Sequence, residues 1–115
     1  MEQDLHDTLT AWRRHLHAHP ELTLHEKETS AFVQAKLREL GIPFVAGVGG
    51  HGVVATIARG SSNRSVGLRA DMDALPIAET TGLAHASTNP GVMHACGHDG
   101  HTTSLLGAAA LLSRD

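Results

Sequence analysis

Residues 94–112 read His94-Ala95-Cys96-Gly97-His98-Asp99-Gly100-His101 and then TTSLLGAAALL, a dense group of metal-ligating side chains set directly before an apolar run. The first eight residues hold the only cysteine of the chain, three of its ten histidines and an aspartate. Thiolate and neutral imidazole are the ligand types that suit zinc and neighbouring transition metals, and ligands two residues apart can address one ion across a glycine. Cys96 and His98 are therefore the leading candidates for metal ligands. His94 and His101 are weaker ones, because His101 falls where a helix begins and can serve the helix end or support another ligand. The competing reading is a polar loop whose histidines only cap the helix that follows.

That helix is expected over Thr102 to Leu112. Leu105, Leu106, Ala108, Ala109, Ala110, Leu111 and Leu112 leave it almost no polar face, and a helix that is apolar all round belongs inside a larger core. The elements that would bury it are not among these 115 residues, so the chain is expected to be part of a longer domain.

Working outward, Leu5, Leu9, Trp12 and Leu16 recur at helical spacing and predict a helix from Asp4 to His17, ended by His19-Pro20. Thr23 to Glu26 reads as a capping box for a second helix, whose buried face is Phe32, Val33, Leu37 and Leu40 and whose stop is Gly41 with Pro43. His15 and His17, with His19 just beyond, are expected on a solvated surface, with Trp12 and Leu16 in the core. Val53 to Ile57 and Val66 to Leu68 predict two strands joined by the turn-rich stretch 59–64. The glycine run from Gly47 to Gly52 reads as a turn. It lacks the lysine and hydroxyl residue of a phosphate-binding loop and does not open a helix.

Arg69 to Pro76 follows the second expected strand, where α/β proteins present functional loops. Asp71 and Asp73 are read as facing opposite ways on this extended stretch, so that one of them meets a metal. A turn that bonds its own backbone is the alternative.

With 41% hydrophobic residues the composition fits one globular domain. Nine basic and twelve acidic residues are well mixed and sum to −3, which argues against nucleic-acid or membrane partners. The polar first twenty residues lack the apolar stretch of a secretory signal, and a lone cysteine suits a reducing compartment, so the expected location is the cytoplasm. No Gly-x-Ser-x-Gly elbow is present to support a serine hydrolase.

The stretches 14–22, 49–55, 68–77 and 89–101, RHLHAHPEL, GGHGVVA, LRADMDALPI and NPGVMHACGHDGH, together resemble the peptidase M20 family in its aminoacylase, hippurate-hydrolase and indole-3-acetyl-amino-acid-hydrolase branch. His51 is a minor departure. The resemblance implies an α/β fold, the truncated N-terminal part of a three-layer αβα zinc-peptidase-like catalytic domain, over 1–115, with the lid or dimerisation domain outside it. It implies a two-metal centre of Mn2+ or Zn2+, with Co2+ or Ni2+ also suited, to which Cys96 and His98 contribute ligands. Asp73 falls on the aspartate that supports the metal site, and Asp71 falls where the family keeps a histidine. The family's glutamate pair, which supplies the general base, has no counterpart in these residues. The implied activity is hydrolysis of N-acyl amino acids by a complete enzyme of homo-oligomeric habit, this chain alone being inactive. The alternatives from other classes are a stand-alone His-rich metal-binding module and a product that folds poorly.

Overall fold

The computed structural model describes residues 2–114. Helix α1 runs over Gln3–Ala18 and buries Leu5 and Leu16 of the expected stripe, while Leu9 and Trp12 are half-buried. Helix α2 runs over Lys27–Glu39 and turns Val33 and Leu37 inward. Its start differs from the expected capping box. The Thr23 hydroxyl donates instead to Asp73, and no side chain at Glu26 caps the helix. The carboxylate of Glu21 takes that role, accepting the N–H of Glu28 at 3.1 Å and of Thr29 at 2.6 Å. First-turn amides have no partner inside a helix, and an acidic group at this end is also favoured by the helix dipole.

The stop of α2 follows the expected glycine. Gly41 adopts φ +71°, the Gly41 N–H donates to the Arg38 carbonyl and the Ile42 N–H to the Leu37 carbonyl, at 3.0 and 2.9 Å. This paired arrangement satisfies two end carbonyls and folds Ile42 back onto Leu37.

The hairpin is not the expected one. Strand β1, Phe44–Val48, pairs antiparallel with β2, Gly52–Ala55, in the register Phe44↔Ala55, Val45↔Val54 and Ala46↔Val53, with a bulge between Ala46 and Val48. The glycine run is the turn between them: Gly47, Gly49 and Gly50 all have positive φ, which side chains disfavour and a tight reversal needs. Residues 66–68 join no strand, and Val66 and Leu68 are exposed. The short glycine turn offers β2 a partner strand that ends four residues before it, so the longer 56–65 connection does not form the pair.

Helix α3 spans His98–Leu112 and so begins four residues earlier than expected, inside the metal-ligand motif itself. It lies along α1, where Leu9 sits against Gly107: a Cβ there would come within 2.7 Å of Leu9 Cδ1. Leu106 joins Val33, Leu37 and Ile42 in the core, with Trp12, Phe44, Val53 and Met72 packed around them. Leu111 and Leu112 remain exposed, in keeping with the absence of a polar face. Among the described residues no helix is long and apolar enough to cross a membrane.

Leu37 is 4% exposed and bridges α2 to the core. Leu37→Ala is expected to cost about 2–4 kcal/mol, the usual range for emptying a buried leucine site. Urea unfolding followed by circular dichroism measures it, and a loss under about 1 kcal/mol would contradict this core assignment.

Candidate metal centre

The segment 71–75 is tied down along its length by main-chain bonds. The Ala74 N–H donates to the Glu21 carbonyl at 2.7 Å, and Leu75 and Met93 exchange both main-chain bonds at 2.9 and 3.0 Å. The Thr102 hydroxyl, one turn into α3, donates to the Asp71 carbonyl at 2.8 Å. The extended chain therefore runs across the start of α3 with its backbone fixed.

His98 opens that helix and meets both aspartates. Its Nδ1 lies 2.9 Å from Asp73 Oδ1 and its Nε2 lies 3.9 Å from Asp71 Oδ2. The expectation that the two aspartates face opposite ways is wrong. Residues two apart on an extended chain share a face, because side chains alternate with a period of two. Arg69 in turn pairs with Asp71. The Asp73 carboxyl is held below its usual range, chiefly by the Thr23 hydroxyl and further by His98.

An imidazole that donates Nδ1–H to a carboxylate keeps its Nε2 lone pair for another partner, the arrangement common around histidine metal ligands. This donor set fits a divalent metal at His98. Gly97, at φ +87°, turns the chain into α3, and Cys96 just before it is an exposed free thiol. Among the described residues no three His, Cys, Asp or Glu side chains converge to hold an ion by themselves. His101 is exposed, its ring 5.7 Å from that of His98. His94 is buried with no hydrogen-bond partner on either ring nitrogen among the described residues, and burial pushes its pKa down.

A second cluster was not legible in the motif. Asp99, 2% exposed, receives Arg13 Nε at 3.0 Å and His17 Nδ1 at 2.8 Å on one oxygen, and the Gly100 N–H at 2.9 Å on the other. The other ring nitrogen of His17 faces Glu79 Oε1 at 3.0 Å, near enough for an ion pair but not aligned as a hydrogen bond. His17 is 2% exposed, which overturns the expectation of a solvated surface for it, whereas His15 and His19 are exposed and stack on each other. A signal was present: His17 lies eight residues after Leu9 and four after Arg13, at the edge of the buried stripe. Its partners, at 79 and 99, could not be found by helical spacing.

The sequence profile of Peptidase family M20/M25/M40 matches residues 67–114. The chain is 51% identical over 104 residues to an N-acyl-L-amino acid amidohydrolase of Geobacillus stearothermophilus, covering 90% of this chain and 28% of that protein. It is 51% identical over 111 residues to the N-acetyl-L-cysteine deacetylase of Bacillus subtilis, covering 96% and 27%. Among solved structures it superposes on the Bacillus subtilis YXEP protein, a dinuclear metal-binding peptidase of the M20 family. The TM-score is 0.94 at 42% identity, over 97% of this chain and 32% of that one. Residues 67–114 match the M20 family, and the mixed α/β fold is the one seen in the superposed M20 peptidase. The chain spans between a quarter and a third of the length of these relatives.

The Glu79 carboxyl is lowered from 4.5 to about 2, first by the Thr81 hydroxyl, then by the Ser87 N–H and His17, which together outweigh burial. A depressed carboxylate stabilises the fold above its unfolded value and loses that contribution as pH falls through the folded one. Melting temperature is therefore expected to drop more steeply between pH 4.5 and about 2 in the parent chain than in Glu79→Gln. Parallel pH profiles for the two would mean that Glu79 is not held in this way.

Proposed function

We propose that this chain forms the N-terminal portion of the catalytic domain of a metal-dependent amidohydrolase that cleaves N-acyl amino acids to a carboxylic acid and a free amino acid. In this reading Cys96 and His98 are metal ligands and Asp73 orients His98. The observation that carries it is the Asp73–His98 pair at 2.9 Å, which leaves Nε2 of an imidazole two residues from a free thiol. The amidohydrolase and deacetylase names of relatives 51% identical to the chain support the reaction class. A hippurate hydrolase of Campylobacter jejuni, 47% identical over 110 residues, supports an acyl-amino-acid substrate.

When bound, a divalent metal pair supplies Lewis acidity toward the amide carbonyl and brings the pKa of a bound water toward roughly 7. The residues of this chain do the holding. Cys96 would bind as a thiolate, so binding releases a proton. Asp73 accepts the Nδ1–H of His98, which fixes the tautomer and leaves the Nε2 lone pair for a metal. Thr23 holds the other oxygen of Asp73, so the carboxylate cannot rotate away. The general base and remaining ligands are assigned to sequence outside these 115 residues, and the work is assigned to the cytoplasm.

The test is metal content, by isothermal titration with Zn2+ and Mn2+, together with hydrolysis of hippurate and N-acetyl amino acids. Binding by this chain is expected to be weak and unaccompanied by hydrolysis. Cys96→Ala/His98→Ala is expected to abolish it, and Asp73→Asn to weaken it about 10–100-fold, the usual effect of losing a ligand's carboxylate partner. Equal binding by the double variant would refute the ligand assignment. Tight one-to-one binding by a soluble monomer would point instead to a stand-alone metal-binding module.

A further inference from the structure

The proposed function gives no task to the cluster of Arg13, His17, Glu79 and Asp99, in which His17 and Asp99 are buried and Arg13 is part-exposed. Yet the cluster is joined to the candidate ligands by a single peptide bond: Asp99 follows His98 in the first turn of α3. Both Asp99 oxygens are occupied, one by the Gly100 N–H of that same turn and the other by two side chains of α1. The first turn of α3 is thus gripped from two directions. Asp73 and the Asp71 carbonyl hold it through His98 and Thr102, and α1 holds it through Asp99.

His17 is the member that joins the parts. It touches Asp99 with one ring nitrogen and faces Glu79 with the other, and Glu79 is itself fixed by the Thr81 hydroxyl and the Ser87 N–H at 2.9 Å. Arg13 adds a second cation to Asp99. A buried carboxylate left without such partners turns toward water, and here it would carry the residue after His98 with it.

We propose that His17, aided by Arg13, is a positioning residue for the Cys96-Gly97-His98 segment, acting through Asp99. The inference rests on the reading of Cys96 and His98 as metal ligands. It differs from a plain structural role, in which the cluster only pins α1 to α3. That helix pair has another contact two turns away, Leu9 on Gly107, which involves no member of the cluster. Leu9→Ala therefore loosens the same interface without touching Asp99.

The experiment compares the parent chain, His17→Ala, His17→Asn and Leu9→Ala by residue-resolved amide exchange without metal and by Co2+ titration. The amides read are Gly100 and His101, at the start of α3, against Leu106 and Ala110 farther along it. His17→Ala is expected to raise exchange at Gly100 and His101 about 10-fold over any change at Leu106 and Ala110, as a local opening would. It is expected to weaken Co2+ binding and its thiolate charge-transfer band about 10-fold, as loss of an outer partner does. His17→Asn, whose amide nitrogen stands where Nδ1 was, restores both. Leu9→Ala raises exchange at Leu106 and Ala110 and leaves the other two near the parent. Parallel changes in His17→Ala and Leu9→Ala, or unaltered exchange at Gly100 and His101, would overturn the proposal. Should His17→Ala fail to fold, His17→Asn is compared with His17→Gln, whose amide reaches toward Glu79 instead. Equal behaviour of the two overturns the proposal. A parent chain without a Co2+ band defeats the ligand reading, while the exchange measurements still decide the positioning role.

Discussion

The first turn of α3 must carry an imidazole in a set orientation at the surface and a carboxylate in the interior one residue later, and most of the structure around it answers to that demand. Successive residues on a helix point about 100° apart, so His98 and Asp99 leave the turn in different directions. Each direction needs its own support. The 71–75 segment supplies it for His98, and α1 supplies it for Asp99. A buried carboxylate is tolerated only when charged or hydrogen-bonding groups replace the water it has lost, and Arg13, His17 and the Gly100 N–H do so here.

The stretch 18–26 links these supports. Pro20 ends the helical run, Glu21 bonds the first amides of α2 through its side chain and the Ala74 N–H through its carbonyl, and Thr23 bonds Asp73. One short turn therefore places α2 and fixes the carboxylate that faces His98. The histidine-proline-glutamate run at 19–21 gains a physical account from this: the proline stops α1, and the glutamate starts the next helix while anchoring the segment beneath the candidate centre.

The hydrophobic side of the molecule is less complete than the polar one. Val45, Val54, Val66, Leu68, Leu111 and Leu112 are exposed, and the sheet has two strands. Sheets of two strands are marginal without packing on a helix, and here α2 supplies it on one face. The matched relatives are three to four times longer than the chain.

Local order was legible wherever it depends on neighbours in sequence. Helices α1 and α2 follow from apolar spacing, α3 from its alanine- and leucine-rich composition, and the end of α2 from Gly41. What escaped was whatever depends on a partner far along the chain. Thr23 has the right spacing to cap α2 but spends its hydroxyl on Asp73, fifty residues away. Val66 to Leu68 has a strand's composition but finds no neighbour, because the glycine turn gives β2 a nearer one. His17 looks like one histidine among three on a polar stretch, and only the approach of 79 and 99 buries it. Helical period, turn chemistry and ligand type are local properties that the sequence determined by itself. Burial of a charge requires groups brought from several segments to one point, and that was decided only by the tertiary structure.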